Sequence, residues 1–125
     1  MFGWLSPRAR GMDGESRALH FLRQQGLTLV ERNYRTGGGP RRPAGEIDLI
    51  LRDRDGCLVF VEVRARGSDR HGSAAASIGA GKQRRIVRAA QQYLLRFETP
   101  PPCRFDVVAI DGDALQWLKA AFDTG

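Results

Sequence analysis

The sequence predicts one α/β domain in the order α-β-β-β-α-β-β, and three features predict it. Apolar residues recur at helical spacing over 13–25 and again over 81–97. Short, dense apolar runs of strand length occupy 47–51, 58–63 and 104–110. The stretches between them are rich in Gly, Pro, Asp and Ser, residues that turn or break a chain. A chain of 125 residues can bury roughly two thirds of its unfolded surface without a disulfide or structural metal. Residues 1–12 read as a mobile arm carrying Arg8 and Arg10, 13–122 as the domain and 123–125 as a tail.

The first helix begins at Asp13, whose short side chain can cap the free N–H groups of the opening turn, and runs to Gln25, with Gly26 closing it. On its wheel Glu15, Ala18, Leu19 and Leu22 share one stripe, with Ser16, Arg17, His20, Arg23 and Gln24 opposite. Glu15 is therefore expected to point inward. A first-turn acid also gains from the helix dipole, so Glu15 reads either as a helix-stabilising charge or as a ligand.

Leu27–Arg35 reads as the first strand. A Gly- and Pro-rich loop, Thr36–Ala44, follows and carries Arg41 and Arg42. The next two apolar runs flank Arg52-Asp53-Arg54-Asp55-Gly56 and predict an antiparallel hairpin. Its loop length decides the chemistry. A two-residue turn at Asp55-Gly56 puts Asp48 and Glu62 on opposite faces, because side chains alternate with period two. A three-residue loop, Arg54-Asp55-Gly56, reverses that parity and puts Gly56 where a left-handed residue is wanted. In that register Asp48 faces Glu62 and Glu46 faces Arg64.

Facing Cβ atoms are about 5 Å apart, where like charges destabilise a strand pair unless a positive charge intervenes. Two readings supply one. Asp48 and Glu62, with Glu15 as a third oxygen donor, suit Mg²⁺ or Mn²⁺ with water completing the shell. Alternatively Arg64 and neighbouring arginines neutralise the acids in a structural ion-pair network.

Beyond the hairpin, Arg66–Ala80 is a long Gly-, Ser- and Ala-rich loop containing Arg70 and His71; His71 has no second imidazole or thiol near it in sequence and reads as a loop residue. The second helix, 81–97, gathers Ile86, Val87, Ala90, Tyr93, Leu94 and Phe97 on one arc. Opposite them runs a stripe of Arg85, Arg88, Gln92 and Arg96, flanked by Lys82 and Arg84, with no acid. Solvated faces usually mix signs, so an all-basic face favours a polyanion. Pro100-Pro101-Pro102 ends the segment. Arg104–Ile110 is a strand, 111–113 a turn, and Leu115–Ala120, with Trp117, a short last strand.

Twenty basic residues against fourteen acidic ones give a net charge of +6, and all the basic residues except Lys82 and Lys119 are arginine. Guanidinium grips phosphate with paired hydrogen bonds, so the excess suits nucleic acid. Cys57 and Cys103 have neither Cys-x-x-Cys nor Cys/His spacing; buried free thiols and a reducing compartment are expected. No leader-like start and no apolar run of membrane-spanning length is present, which points to a cytoplasmic protein without a membrane partner.

Several short motifs now combine: Gly14-Glu15 followed by Ala18, Arg32-Asn33-Tyr34-Arg35, Gly45-Glu46-Ile47-Asp48-Leu49-Ile50, Val59-Phe60-Val61-Glu62-Val63, Lys82 with Arg84-Arg85, Tyr93-Leu94, and Arg104-Phe105-Asp106-Val107-Val108. Together, over about Gly11–Phe122, they resemble the YraN-like family of uncharacterised bacterial proteins. That family is regarded as distantly related to archaeal Holliday junction resolvases among the PD-(D/E)XK nucleases. The resemblance implies a restriction-endonuclease-like three-layer fold, a central mixed sheet of about five strands flanked by helices. It also implies metal ligation by Asp48, Glu62 and Glu15, branched DNA as substrate, and a two-fold homodimer. At Arg64 the chain departs from the pattern, which has Lys; Arg stays charged and cannot act as a general base. Lys82 is the available substitute.

The expected activity is Mg²⁺-dependent phosphodiester hydrolysis with Glu15, Asp48, Glu62 and Arg64 at the reacting centre. Arg41, Arg42, Arg66, Arg70, Lys82, Arg84, Arg85 and Arg88 are the expected DNA contacts. Two other classes stay open: a nucleic-acid-binding protein that kept the fold without turnover, and an adaptor whose acids only pair with arginines.

Overall fold

The computed structural model describes residues 2–4 by their backbone and 12–38, 40, 44–65 and 78–124 with their side chains. Eight elements follow in order: β1 (Phe2–Trp4), α1 (Gly14–Gln24), β2 (Thr28–Arg35), β3 (Glu46–Arg52), β4 (Leu58–Ala65), α2 (Ala80–Leu94), β5 (Cys103–Asp111) and β6 (Ala114–Phe122). The strands form one sheet in the order β1-β6-β5-β4-β3-β2. The β4–β5 pair is parallel and every other neighbouring pair is antiparallel. A parallel pair needs a crossover, and α2 lies in that connection. The expected α-β-β-β-α-β-β order and mixed sheet are present. Phe2–Trp4, inside the stretch read as an arm, adds a short edge strand on β6.

Two helices cover the two faces of the sheet and make three layers. Ala18, Leu19, Phe21 and Leu22 of α1 pack with Leu49, Leu51, Val59, Val61, Val108, Ile110 and Trp117. On the other face Ile86, Ala89, Ala90 and Tyr93 of α2 meet Ile47, Ile50, Leu58, Phe60 and Phe105. Burial on both faces is why β4 and β5 are apolar almost throughout.

Local signals explain the boundaries. Asp13 caps α1, accepting from the Ser16 N–H at 2.8 Å, and Gly26 leaves the helix at φ 98°. In the hairpin, Gly56 takes φ 88° and its N–H donates to the Asp53 carbonyl at 2.9 Å, while Asp53 N–H donates to the Cys57 carbonyl. This is the three-residue loop, and Leu49 pairs with Val61 and Ile50 with Phe60, as that register requires. Gly45 lets α2 lie against the start of β3: a Cβ there would stand 2.8 Å from the Arg85 carbonyl oxygen and 3.0 Å from Ala89 Cβ.

β6 is longer than the expected Leu115–Ala120. It continues past an irregularity at Ala120, whose φ is 50°. The buried Asp106 carboxylate stabilises that kink, accepting from Ala120 N–H at 2.9 Å, Trp117 Nε1 at 2.9 Å and Arg104 Nε at 3.0 Å. Arg104 reaches on to Asp53 at 3.0 Å and ties the β3–β4 loop to β5. Arg104-Phe105-Asp106 is thus a structural lock. The thiols differ from expectation: Cys57 is half-buried and Cys103 exposed, because both stand at the sheet's rim where a strand begins.

Candidate functional site

Asp48 and Glu62 come together at the end of the sheet where β3 and β4 diverge. The β3–β4 ladder extends as far as Leu49–Val61. One residue further, the Asp48 carboxylate takes the place of a backbone acceptor and receives the Val63 N–H at 2.8 Å. Alternation along β3 also fails here: Leu49 belongs to the α1-side core, yet Ile47 belongs to the α2-side core. Asn33, between the pairs Arg32–Leu49 and Tyr34–Ile47 on β2, has a left-handed φ of 53°. The local irregularity lets Asp48 lie between the strands, within electrostatic reach of both faces.

Glu62 shares the parity of Leu58 and Phe60, so it emerges on the α2 side. It is 5% exposed. Lys82 Nζ, from the first turn of α2, stands 3.7 Å from Glu62 Oε2, and Arg64 stands 3.9 Å away. Despite those two cations, burial pushes the Glu62 carboxyl up to about 8, with the charge and hydrogen bonding of Asp48 pushing the same way. Desolvation and a neighbouring carboxylate therefore outweigh the two ammonium and guanidinium partners, and the pair holds a proton near neutrality unless a stronger positive charge enters.

Glu15 comes from the opposite layer. A Cβ on Gly14 would stand 3.9 Å from Val63, which places the first turn of α1 beside the end of β4. Glu15 is half-buried, its carboxyl raised by desolvation and then by the Asp48 charge, with Arg32 opposing at 3.5 Å. Glu15 lies on α1, which covers the other face of the sheet from Glu62, and it is coupled to the site only through the charge of Asp48. Among the described residues, no three carboxylate, imidazole or thiol side chains stand close enough to hold a metal ion together. The Asp48–Glu62 pair alone fits a hard divalent cation, which commonly takes one or two carboxylates and fills its shell with water and substrate oxygens.

Arg64 and Glu46 do not face one another as the extended register expected. The ladder ends before that pair, and Glu46 instead opposes Arg35 on β2, 3.7 Å from its guanidinium. Along α2, Arg84, Arg85 and Arg88 are exposed and Lys82 is half-buried against the acids. The stripe is less purely basic than its sequence, since Arg96 lies 3.7 Å over the Tyr93 ring and 3.8 Å from Glu31. Arg41, Arg42, Arg66, Arg70 and His71 lie outside the described residues. Sequence reasoning gave no part to the Val63 N–H or to Asn33. The second left a trace, an Asn inside an otherwise strand-like run.

Fold and site define a class: a three-layer α/β protein with a desolvated acid pair at the splayed end of its sheet, served by a lysine from the crossover helix. The chain belongs to a family. Residues 14–110 match the model of UPF0102, an uncharacterised protein family. A UPF0102 protein of Methylibium petroleiphilum is 63% identical over 119 residues, covering 95% of this chain and 98% of the relative. Another, from Paracidovorax citrulli, is 66% identical over 118 residues, covering 94% and 85%. No helix among the described residues is long and apolar enough to cross a membrane.

Proposed function

We propose that this protein is a divalent-metal-dependent endonuclease that hydrolyses phosphodiester bonds in DNA, branched DNA included, as a two-fold dimer in the cytoplasm. The observation that carries the reading is the buried Glu62 carboxyl beside Asp48, proton-hungry at neutral pH although Lys82 and Arg64 flank it. A protein whose acids served only as ion-pair partners gains nothing by desolvating one of them beside another carboxylate.

Asp48 and Glu62 are the residues to hold Mg²⁺ or Mn²⁺, with Glu15 as a third candidate donor. Held there, such an ion would lower the pKa of a water and offset charge developing on the phosphorus oxygens. The Val63 N–H keeps the Asp48 carboxylate aimed between the strands. Lys82 and Arg64 present positive charge on the same side as Glu62, where they orient a water toward phosphorus and stabilise the equatorial oxygens as the ester bond to the leaving oxygen breaks. Arg64 does this as a permanent cation; Lys82 takes the place of the lysine that the nuclease pattern puts on the strand. Exposed Arg84, Arg85 and Arg88, with Arg41, Arg42, Arg66 and Arg70, supply phosphate contacts whose affinity falls steeply with salt.

The test is a cleavage panel of branched, linear duplex and single-stranded DNA with Mg²⁺ or Mn²⁺, comparing the parent with Asp48→Ala, Glu62→Ala, Lys82→Met and Arg64→Lys. We expect metal-dependent nicking that Asp48→Ala and Glu62→Ala reduce by about 100-fold or more, the scale of losing transition-state charge stabilisation. Cutting by Asp48→Ala at the parent's rate ends the assignment. Metal-independent DNA binding with no cutting by any protein in the panel favours the binding-protein reading, for which Arg64 is the motivating residue.

A further inference from the structure

We infer that the groove between α2 and the end of β6 receives an unpaired nucleic-acid strand, so that the substrate of the acid pair carries a single-stranded segment. This rests on the nuclease reading and specifies its substrate. The groove has a volume of about 710 Å³ and is a separate feature: neither Asp48, Glu62 nor Lys82 lines it. Arg84 and Arg88 do, with Gln91, Val87, Phe122 and Asp123.

Size, spacing and chemistry favour one strand over a duplex. Pockets of about 300–1,000 Å³ accept ligands of drug size, comparable to one or two nucleotides and far too small for a double helix. Arg84 and Arg88 are four residues apart on α2, hence neighbours about 6 Å apart at Cβ, suited to gripping successive phosphates on one strand. Val87 and Phe122 make an apolar wall for unstacked bases. The Phe122 ring is already held by stacking on Phe105, with centroids 5.1 Å apart and planes 17° apart. A basic rim over an apolar, aromatic wall is how sequence-tolerant single-strand binders work. Gln83, also in the lining, is committed to the Ile78 carbonyl at 3.0 Å, whereas Gln91 is exposed and offers an amide to base edges.

The groove and the acid site lie on different sides of the first turns of α2. Lys82 turns toward Glu62 while Arg84, two residues on, lines the groove. Asp123 is the one acid among the described lining residues, and it weakens phosphate binding there.

The experiment is equilibrium binding of a fluorescein-labelled 12-nucleotide single strand and of a blunt duplex hairpin, by anisotropy in EDTA, to the full chain. Arg84→Ala/Arg88→Ala is expected to weaken single-strand binding about tenfold or more and to flatten its log K against log salt slope by about 1.4, the sum of about 0.7 per lost phosphate contact. Both arginines also contribute to general phosphate attraction, so duplex binding is expected to weaken too, by a clearly smaller factor than strand binding, and Asp123→Asn to tighten single-strand binding about threefold. Equal losses on strand and duplex, or unchanged single-strand affinity in the double variant, overturn the inference. Because binding is read without metal, absence of hydrolysis fails the nuclease reading alone. Metal-dependent cutting of blunt duplex by the double variant at the parent's rate, together with unchanged strand binding, fails the groove alone.

Discussion

Replacing Glu62 by Gln is expected to make the protein more stable at alkaline pH, although it removes both ion pairs of that residue. The Glu62 carboxyl is raised from 4.5 to about 8, first by burial, then by Asp48, with Lys82 and Arg64 pulling the other way. Its folded form therefore keeps a proton that the unfolded chain releases. The stability linked to that proton is fully present below pH 4.5, declines as pH rises through the window to about 8, and is lost above it. A displacement of this size corresponds to on the order of 5 kcal/mol between the two extremes, a large share of a small domain's stability. Glutamine has nearly the same shape and does not ionise; Lys82 and Arg64, both partly exposed, then turn to water. Urea unfolding followed by circular dichroism at pH 5, 6.5, 8 and 9 in EDTA should show the two proteins nearly equal at pH 5 and increasingly separated above it. Saturating Mg²⁺ at pH 8 should raise the parent's stability, by about 2.7 kcal/mol at one hundred times the dissociation constant, and leave Glu62→Gln unmoved. Parallel pH profiles for parent and variant would refute the desolvated-acid reasoning.

Two substitutions away from the acids test the scaffold that presents them. Gly45→Ala puts a methyl 2.8 Å from the Arg85 carbonyl oxygen and from Thr36 Oγ1, so α2 must move off β3 at a cost of about 1–3 kcal/mol in thermal or urea unfolding. The same shift should carry Lys82 away from Glu62 and lower metal-dependent cleavage without touching an acid. Asp106→Ala removes the acceptor of the Trp117 Nε1–H and the Ala120 N–H and leaves Arg104 with Asp53 as its remaining carboxylate partner, and should cost about 3–5 kcal/mol by urea unfolding. Asp106→Asn, which keeps one acceptor, should cost less.

Some of the site was legible before any coordinates because its determinants are local. The five residues Arg52–Gly56 set a hairpin register, and the left-handed preference of Gly56 chose between two parities, which the pairs from Leu49–Val61 to Arg52–Leu58 follow; the ladder ends one pair before Asp48 and Glu62. The cap at Asp13 and the stop at Gly26 are local in the same sense. Glu15 shows where this kind of reasoning ends. A helix wheel says that a residue faces inward, but not which side of the sheet that helix covers. Arg64 and Glu46 mark a second limit, since a register counts pairs only until the strands part. The edge strand Phe2–Trp4 marks a third: three residues are too few to carry a period, and their pairing with β6 depends on the far end of the chain.

Taken alone, the amino-acid order determined the α-β-β-β-α-β-β succession from α1 onward, the register of the central hairpin and the excess of guanidinium, because each follows from interactions within a turn or two of chain or from composition. The folded arrangement decided that Lys82 meets Glu62, that Asp48 lies between strands rather than on one face, and that Asp106 is a structural lock. Those contacts join residues 14 to 20 positions apart through separate elements, and only the packing of α2 on the sheet, the divergence of β3 from β4 and the kink in β6 bring them within reach.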